Sequence, residues 1–207
     1  CLVQTRDALP RVVLLGRLAL YGTGAERLHE EVIAVAARWR HPDRRADQPI
    51  EPYGAEGEAR TLDVLNGVLR QPSTRTPSAT VRDDCLRGAA DDVANLLGPL
   101  ERRAADAADR AIAQLTRRGA AEAESLRTTL RSQMTHVQAE LDRHRSGARQ
   151  LPLGFTAEDA ANLEADRRHW AVRVRQFQED LEVAPARYQQ FYAVKARRVE
   201  PIGLVYL

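Results

Sequence analysis

Residues 99–144 read PLERRAADAADRAIAQLTRRGAAEAESLRTTLRSQMTHVQAELDRH, and the spacing of their apolar side chains predicts one long helix. Ile112, Ala123 and Met134 recur every eleven residues, as do Leu115, Leu126 and Val137, and again Gly119, Leu130 and Leu141. Eleven residues over three turns is about 3.67 per turn, close to an unstrained α-helix. A partner helix is therefore expected to lie along it almost straight, or with slight right-handed coiling. At 1.5 Å per residue, the helix would be roughly 65 Å long.

The partner is expected immediately downstream. Residues 145–154, RSGARQLPLG, carry turn formers and end the helix. Thr156 is placed to cap the next one, with Asp159 three residues on and Phe155 as a hydrophobic staple. Ala160, Leu163, Arg167, Trp170, Val174, Phe177 and Leu181 then alternate at three and four, a heptad seam that Pro185 should end. Two stripes joined by a tight turn predict an antiparallel helical hairpin, coiled-coil-like in its packing. A turn centred on residues 149–153 would set Leu141 against Ala160, Leu130 near Trp170 and Ala123 near Phe177.

Working back from residue 99, residues 79–97 continue the helical character through Val81, Leu86, Ala89, Val93 and Leu97, and Gly98-Pro99 should stop or kink it. Residues 71–78, QPSTRTPS, read as a linker. They divide the chain into 1–78, a small helical and strand region, and 79–207, which holds a helix, the long hairpin and C-terminal strands. In the first part, residues 11–21 are β-rich and read as a strand, although such a run also fits a buried helix, and Gly22-Thr23-Gly24 breaks them. Leu28, Val32, Val35 and Trp39 then fit a helix over 25–38 ended by His41-Pro42, and Leu62, Leu65 and Leu69 mark a shorter one. At the other end, residues 188–207 read as one or two strands broken at Glu200-Pro201. Isolated ribbons are marginal in water, so the first and last strands should meet. The expected class is mainly α, with a small accessory β-sheet built from N-terminal and C-terminal segments.

Composition narrows the function classes. No apolar run reaches the roughly 18 uncharged residues that span a bilayer. With 31 basic against 29 acidic residues the net charge is +2, so no global field draws the chain to nucleic acid. Cys1 and Cys85 have no CxxC companion, which suggests neither a disulfide framework nor a zinc site and points to a reducing, cytoplasmic setting. The only methionine is Met134 and residue 1 is cysteine, so the expected reading is a piece of a longer protein, cut at both ends. A lipid-bearing cysteine is the processed alternative, but Leu2 and Val3 stand where a flexible polar linker would follow.

Catalytic patterns fail one by one. His29-Glu30 opens like HExxH, but Ile33 occupies the second histidine position. Gly22-Thr23-Gly24 lacks the third glycine of a dinucleotide fingerprint, Arg27 standing there, and reads as a plain turn. A phosphate-gripping loop needs a lysine after its last glycine, and the sole lysine, Lys195, follows Val194. His136 and His144 share a helix face without further ligands. The chain is expected to hold no catalytic residue, metal or cofactor. One local feature could bind DNA: Arg143, Arg145 and Arg149, with His144, crowd the hairpin tip, and guanidinium forks suit phosphate, a plain solvated tip being the alternative that the near-neutral total charge favours.

Two stretches carry a resemblance. Residues 17–39, RLALYGTGAERLHEEVIAVAARW, and residues 186–207, ARYQQFYAVKARRVEPIGLVYL, the latter preceded by QFQEDLEVAP, resemble the C-terminal region of Swi/Snf-type superfamily-two helicases, in particular the helicase of the bacterial DISARM phage-defence system. The resemblance implies a parent that binds ATP and Mg and acts on double-stranded DNA, with its two RecA-like lobes upstream. This chain would be the accessory region after them, with other defence-system proteins as further partners. The family's catalytic residues match no position here. A stand-alone helical-hairpin module for protein partners, without any ATPase, is the alternative.

Overall fold

In a computed structural model the described residues are 1–3, 5, 9–70, 77–147 and 156–207. Strands β1 (Arg11–Tyr21) and β2 (Arg27–Arg38) come first, followed by a 3-10 turn at Pro42–Arg44 and helix α1 (Ala55–Arg70). Helices α2 (Ala79–Gly147) and α3 (Ala157–Phe191) and strand β3 (Ala196–Tyr206) complete the chain. The class is mainly α with a small sheet, as expected. Residues 1–112 with 194–207 form one compact unit, and residues 113–193 form a second.

The first unit is built on an antiparallel sheet of order β2-β1-β3, so the N-terminal and C-terminal segments do pair, from Val12 against Tyr206 to Tyr21 against Ala196. Central strand β1 is buried on both faces, which explains its nearly unbroken apolar run. On one face Val13, with Ala36 and Val205, packs against Leu65 and Leu62 of α1. On the other, Leu100 of α2 lies against Gly16, where a Cβ would fall 2.7 Å from its Cδ2. Leu14, Leu18, Leu20, Leu96 and Leu100 are all at most 1% exposed, each contributing about 1.5–3 kcal/mol on burial.

Three sequence expectations are corrected here. Residues 25–38 are not a helix: Arg27–Arg38 is β2, joined to β1 by a tight turn in which Gly22 donates to the Glu26 carbonyl at 2.9 Å and Ala25 takes φ 61°. The spacing of Leu28, Val32 and Val35 fits a helix face, but Val32, Ile33 and Val35 are β-branched, and the buried run Val35, Ala36, Ala37 has a strand's two covered faces. Gly98-Pro99 does not stop α2, which runs through it for 69 residues. Proline's φ is helical and its cost is one lost backbone bond and a clash one turn back. Leu96 and Leu100, both at 0% exposure, fix the helix on either side of that defect. Likewise Pro185 is buried inside α3, which continues to Phe191, so Tyr188 is helical and not part of a strand.

Pro201 does not break β3 either. The β1–β3 register shifts between Leu15 and Gly16, whose partners are Gly203 and Pro201, so Ile202 is the extra residue of a bulge. A bulge on an edge strand is where a residue without an N–H is tolerated. The outer edge of β2 is covered around Ala34 to Ala37. Arg103 donates to the Ala34 carbonyl and pairs with Glu58, while Tyr53 N–H donates to the Ala36 carbonyl at 2.8 Å. Such cover removes a template for unwanted strand pairing.

In the second unit α2 buries Leu115, Gly119, Ala123, Leu130, Val137 and Leu141, so the eleven-residue step from Gly119 through Leu130 to Leu141 is realised. Ile112, by contrast, is exposed, and neighbouring Ala111 is buried in its stead. On α3 the seam positions Leu163, Arg167, Trp170, Val174, Phe177 and Leu181 are the covered ones between residues 157 and 183, whereas Ala160 is exposed. Leu130, Val137 and Phe177 form a buried cluster flanked by Leu126, Met134, Trp170, Val174 and Leu181. Thr156 caps α3 with the full reciprocal box, its Oγ1 accepting from Asp159 N–H at 3.1 Å. Phe155, the expected staple, lies outside the described residues. The register is met in part: Trp170 packs on the cluster that holds Leu130, as expected, but Phe177 belongs to that same cluster, and Glu122 is bonded to Tyr192, far beyond the Glu179 that a turn at 149–153 would bring to it.

Candidate functional site

The densest polar arrangement lies in the first unit, where the end of β2, the following loop, α2 and β3 converge. The α2 residues Asp84, Cys85, Gly88 and Asp92 share one face at helical spacing. Gly88 lets the loop come close, since a Cβ there would fall 3.1 Å from both Arg45 Nη2 and Pro42 Cγ. Asp92 is fully buried. It forms an ion pair with Arg45 and accepts a hydrogen bond from the Tyr206 hydroxyl at 2.6 Å. Arg45 Nε in turn donates to the Arg40 carbonyl at 3.0 Å. Burial, and then the bond to Asp92, push the Tyr206 phenol far above its ordinary range, so it stays a neutral donor.

Around this pair runs a more exposed ring. Trp39 meets Tyr206 and His41 edge-on, at 5.9 and 5.8 Å between centroids. His41 Nδ1 accepts from Asp43 N–H at 3.3 Å, which leaves Nε2 as the proton-bearing nitrogen, 3.0 Å from Asp84 Oδ2. Arg87 bridges Asp84 and Asp43, the latter at 3.1 Å. The bond from His41, followed by Arg87, holds the Asp84 carboxyl below the usual carboxylate range despite some desolvation. The Cys85 thiol is pushed up by burial and by Asp84 and Asp92, so it is held as the unreactive thiol.

A consequence follows for acid stability. Because the folded-state pKa of Asp84 is depressed, its contribution is present above the unfolded carboxylate range and is lost as pH falls through the lower folded value. Asp84→Asn should therefore flatten the acid limb of a stability-versus-pH curve, from the ordinary carboxylate range downward. Unfolding midpoints measured across that window check it, and parallel curves for the two proteins would contradict the assignment.

Arg45 pairs with Asp92, and Arg87 with Asp84 and Asp43, so these ion pairs clamp the 39–48 loop onto α2. Among the described residues no group of three His, Cys, Asp or Glu side chains could hold a metal ion. The residues singled out from sequence are scattered. Arg143 is exposed and pairs with Glu140. The side chain of Arg145, that of His144, and all of Arg149 lie outside the described residues, and His136 is exposed. Lys195 is exposed, its backbone N–H donating to the Tyr21 carbonyl at 2.8 Å. His29 is a part-exposed residue of β2, 3.4 Å from Glu31. Asp92, Arg45 and Tyr206 escaped the sequence reading. The one available signal was the recurrence of Asp84, Gly88 and Asp92 every four residues.

No protein-family model, curated protein or solved structure matches the chain. Among the described residues no helix is long and apolar enough to cross a membrane.

Proposed function

We propose that this chain is the non-catalytic accessory region of a Swi/Snf-type, ATP-driven DNA helicase or translocase that serves bacterial defence against phage. One observation carries the reading. The two stretches that resemble that family stand at opposite ends of the chain, yet their β-rich parts are neighbours in a single sheet, with Arg17 opposite Glu200 and Leu18 opposite Val199. A resemblance confined to packing segments is what a shared scaffold leaves in sequence. In this reading ATP and Mg bind the parent's upstream lobes, the parent contacts double-stranded DNA in the cytoplasm, and other defence proteins are further partners.

The second unit is then an antiparallel, coiled-coil-like hairpin. Its seam is the alternating row from Leu163 to Leu181, and the contact of Phe177 with Leu130 and Val137 supports it. Arg143, Arg145 and Arg149 at its tip are assigned to DNA phosphates. Replacing all three by alanine should weaken duplex binding by the parent and reduce the slope of log affinity against log salt by about 0.9 per lost contact. Filter binding from low to high salt measures both quantities, and an unchanged slope would remove the tip from the interface.

The purified 207-residue chain itself is expected neither to bind ATP tightly nor to hydrolyse it. It has no lysine placed to reach the outer phosphates of a nucleotide. DNA-stimulated turnover by the chain, after controls for contaminating ATPases, would contradict the accessory role. Reading the same open reading frame upstream for a Gly-Lys-Thr loop and an Asp-Glu box is the most direct test. A second reading, a stand-alone hairpin for protein partners, is favoured by Val172, Val183 and Phe191 on α3, which are 52%, 48% and 52% exposed. An upstream frame without ATPase motifs would select it.

A further inference from the structure

We draw no further inference here: the strongest candidate, the open depression of about 510 Å³ between the loop at residues 42–49 and the α2 residues Asp91 and Asn95, is rimmed by Asp43, Asp47 and Asp91, and its one buried charged group, Arg45, is already paired with Asp92, so nothing in the structure points to a ligand.

Discussion

Replacing Asp92 with alanine is expected to destabilise the first unit by about 3–5 kcal/mol, the cost of leaving a buried guanidinium without its partner. Asp92 is at 0% exposure and the Arg45 side chain at 9%, so water cannot take the carboxylate's place without opening the loop. The Tyr206 hydroxyl would lose its acceptor at the same time. Tyr206→Phe removes one bond to a charged group and keeps the ion pair, so it should cost only about 1.5–3 kcal/mol. Replacing Arg45 and Asp92 together by apolar residues of similar size should cost less than Asp92→Ala alone, because no unpaired charge remains. Urea unfolding at constant slope measures all three. A loss below about 1 kcal/mol for Asp92→Ala would show that the pair is solvated, since exposed ion pairs contribute little.

The contact between Gly16 and Leu100 should give the second large effect. Leu100→Ala is expected to cost about 2–5 kcal/mol, because the side chain is fully buried and its removal leaves a cavity against the sheet. Gly16→Ala should cost about 1–3 kcal/mol for the opposite reason, since the new methyl would fall 2.7 Å from Leu100 Cδ2 and 3.0 Å from Cδ1, so that this fully buried side chain must shift. The double variant is diagnostic. The added methyl enters the space that leucine vacates, so the pair should be more stable than Leu100→Ala alone, with a coupling of about 0.5–3 kcal/mol. Strictly additive losses in a double-mutant cycle would mean that the two residues do not meet.

Local periodicity was legible wherever one helix face alone decided burial. The seam from Leu163 to Leu181 and the cap at Thr156 and Asp159 depend on residues three and four apart, which a helix brings together whatever else surrounds it. Strand β1 was legible only in part: residues 11–21 are rich in β-formers, but such a run also suits a buried helix, and pairing with β2 and β3 decides it. Strand β2 was not. Leu28, Val32 and Val35 fit the helical spacing and not a strand's alternation, and alanines and glutamates favour helix, so the choice fell to the neighbour. Pairing with β1 across Gly22-Thr23-Gly24 supplies the backbone bonds, and cover on both faces of Val35 to Ala37 outweighs local propensity.

Sequence by itself determined the mainly helical class, the cap of α3 and the stripes that α2 and α3 bury, because each depends on neighbours along the chain. Only the tertiary structure decided that α2 and α3 pass through Pro99 and Pro185; at Pro99 the buried Leu96 and Leu100 on either side outweigh one lost backbone bond. It also decided that Pro201 sits in an edge-strand bulge, and that Phe177 joins Leu130 and Val137 in one buried cluster. The clamp of Asp92, Arg45 and Tyr206 belongs to this second class as well. Its members lie far apart in sequence, and a buried charge is stable only beside a partner that the fold delivers, so no spacing along the chain announces it.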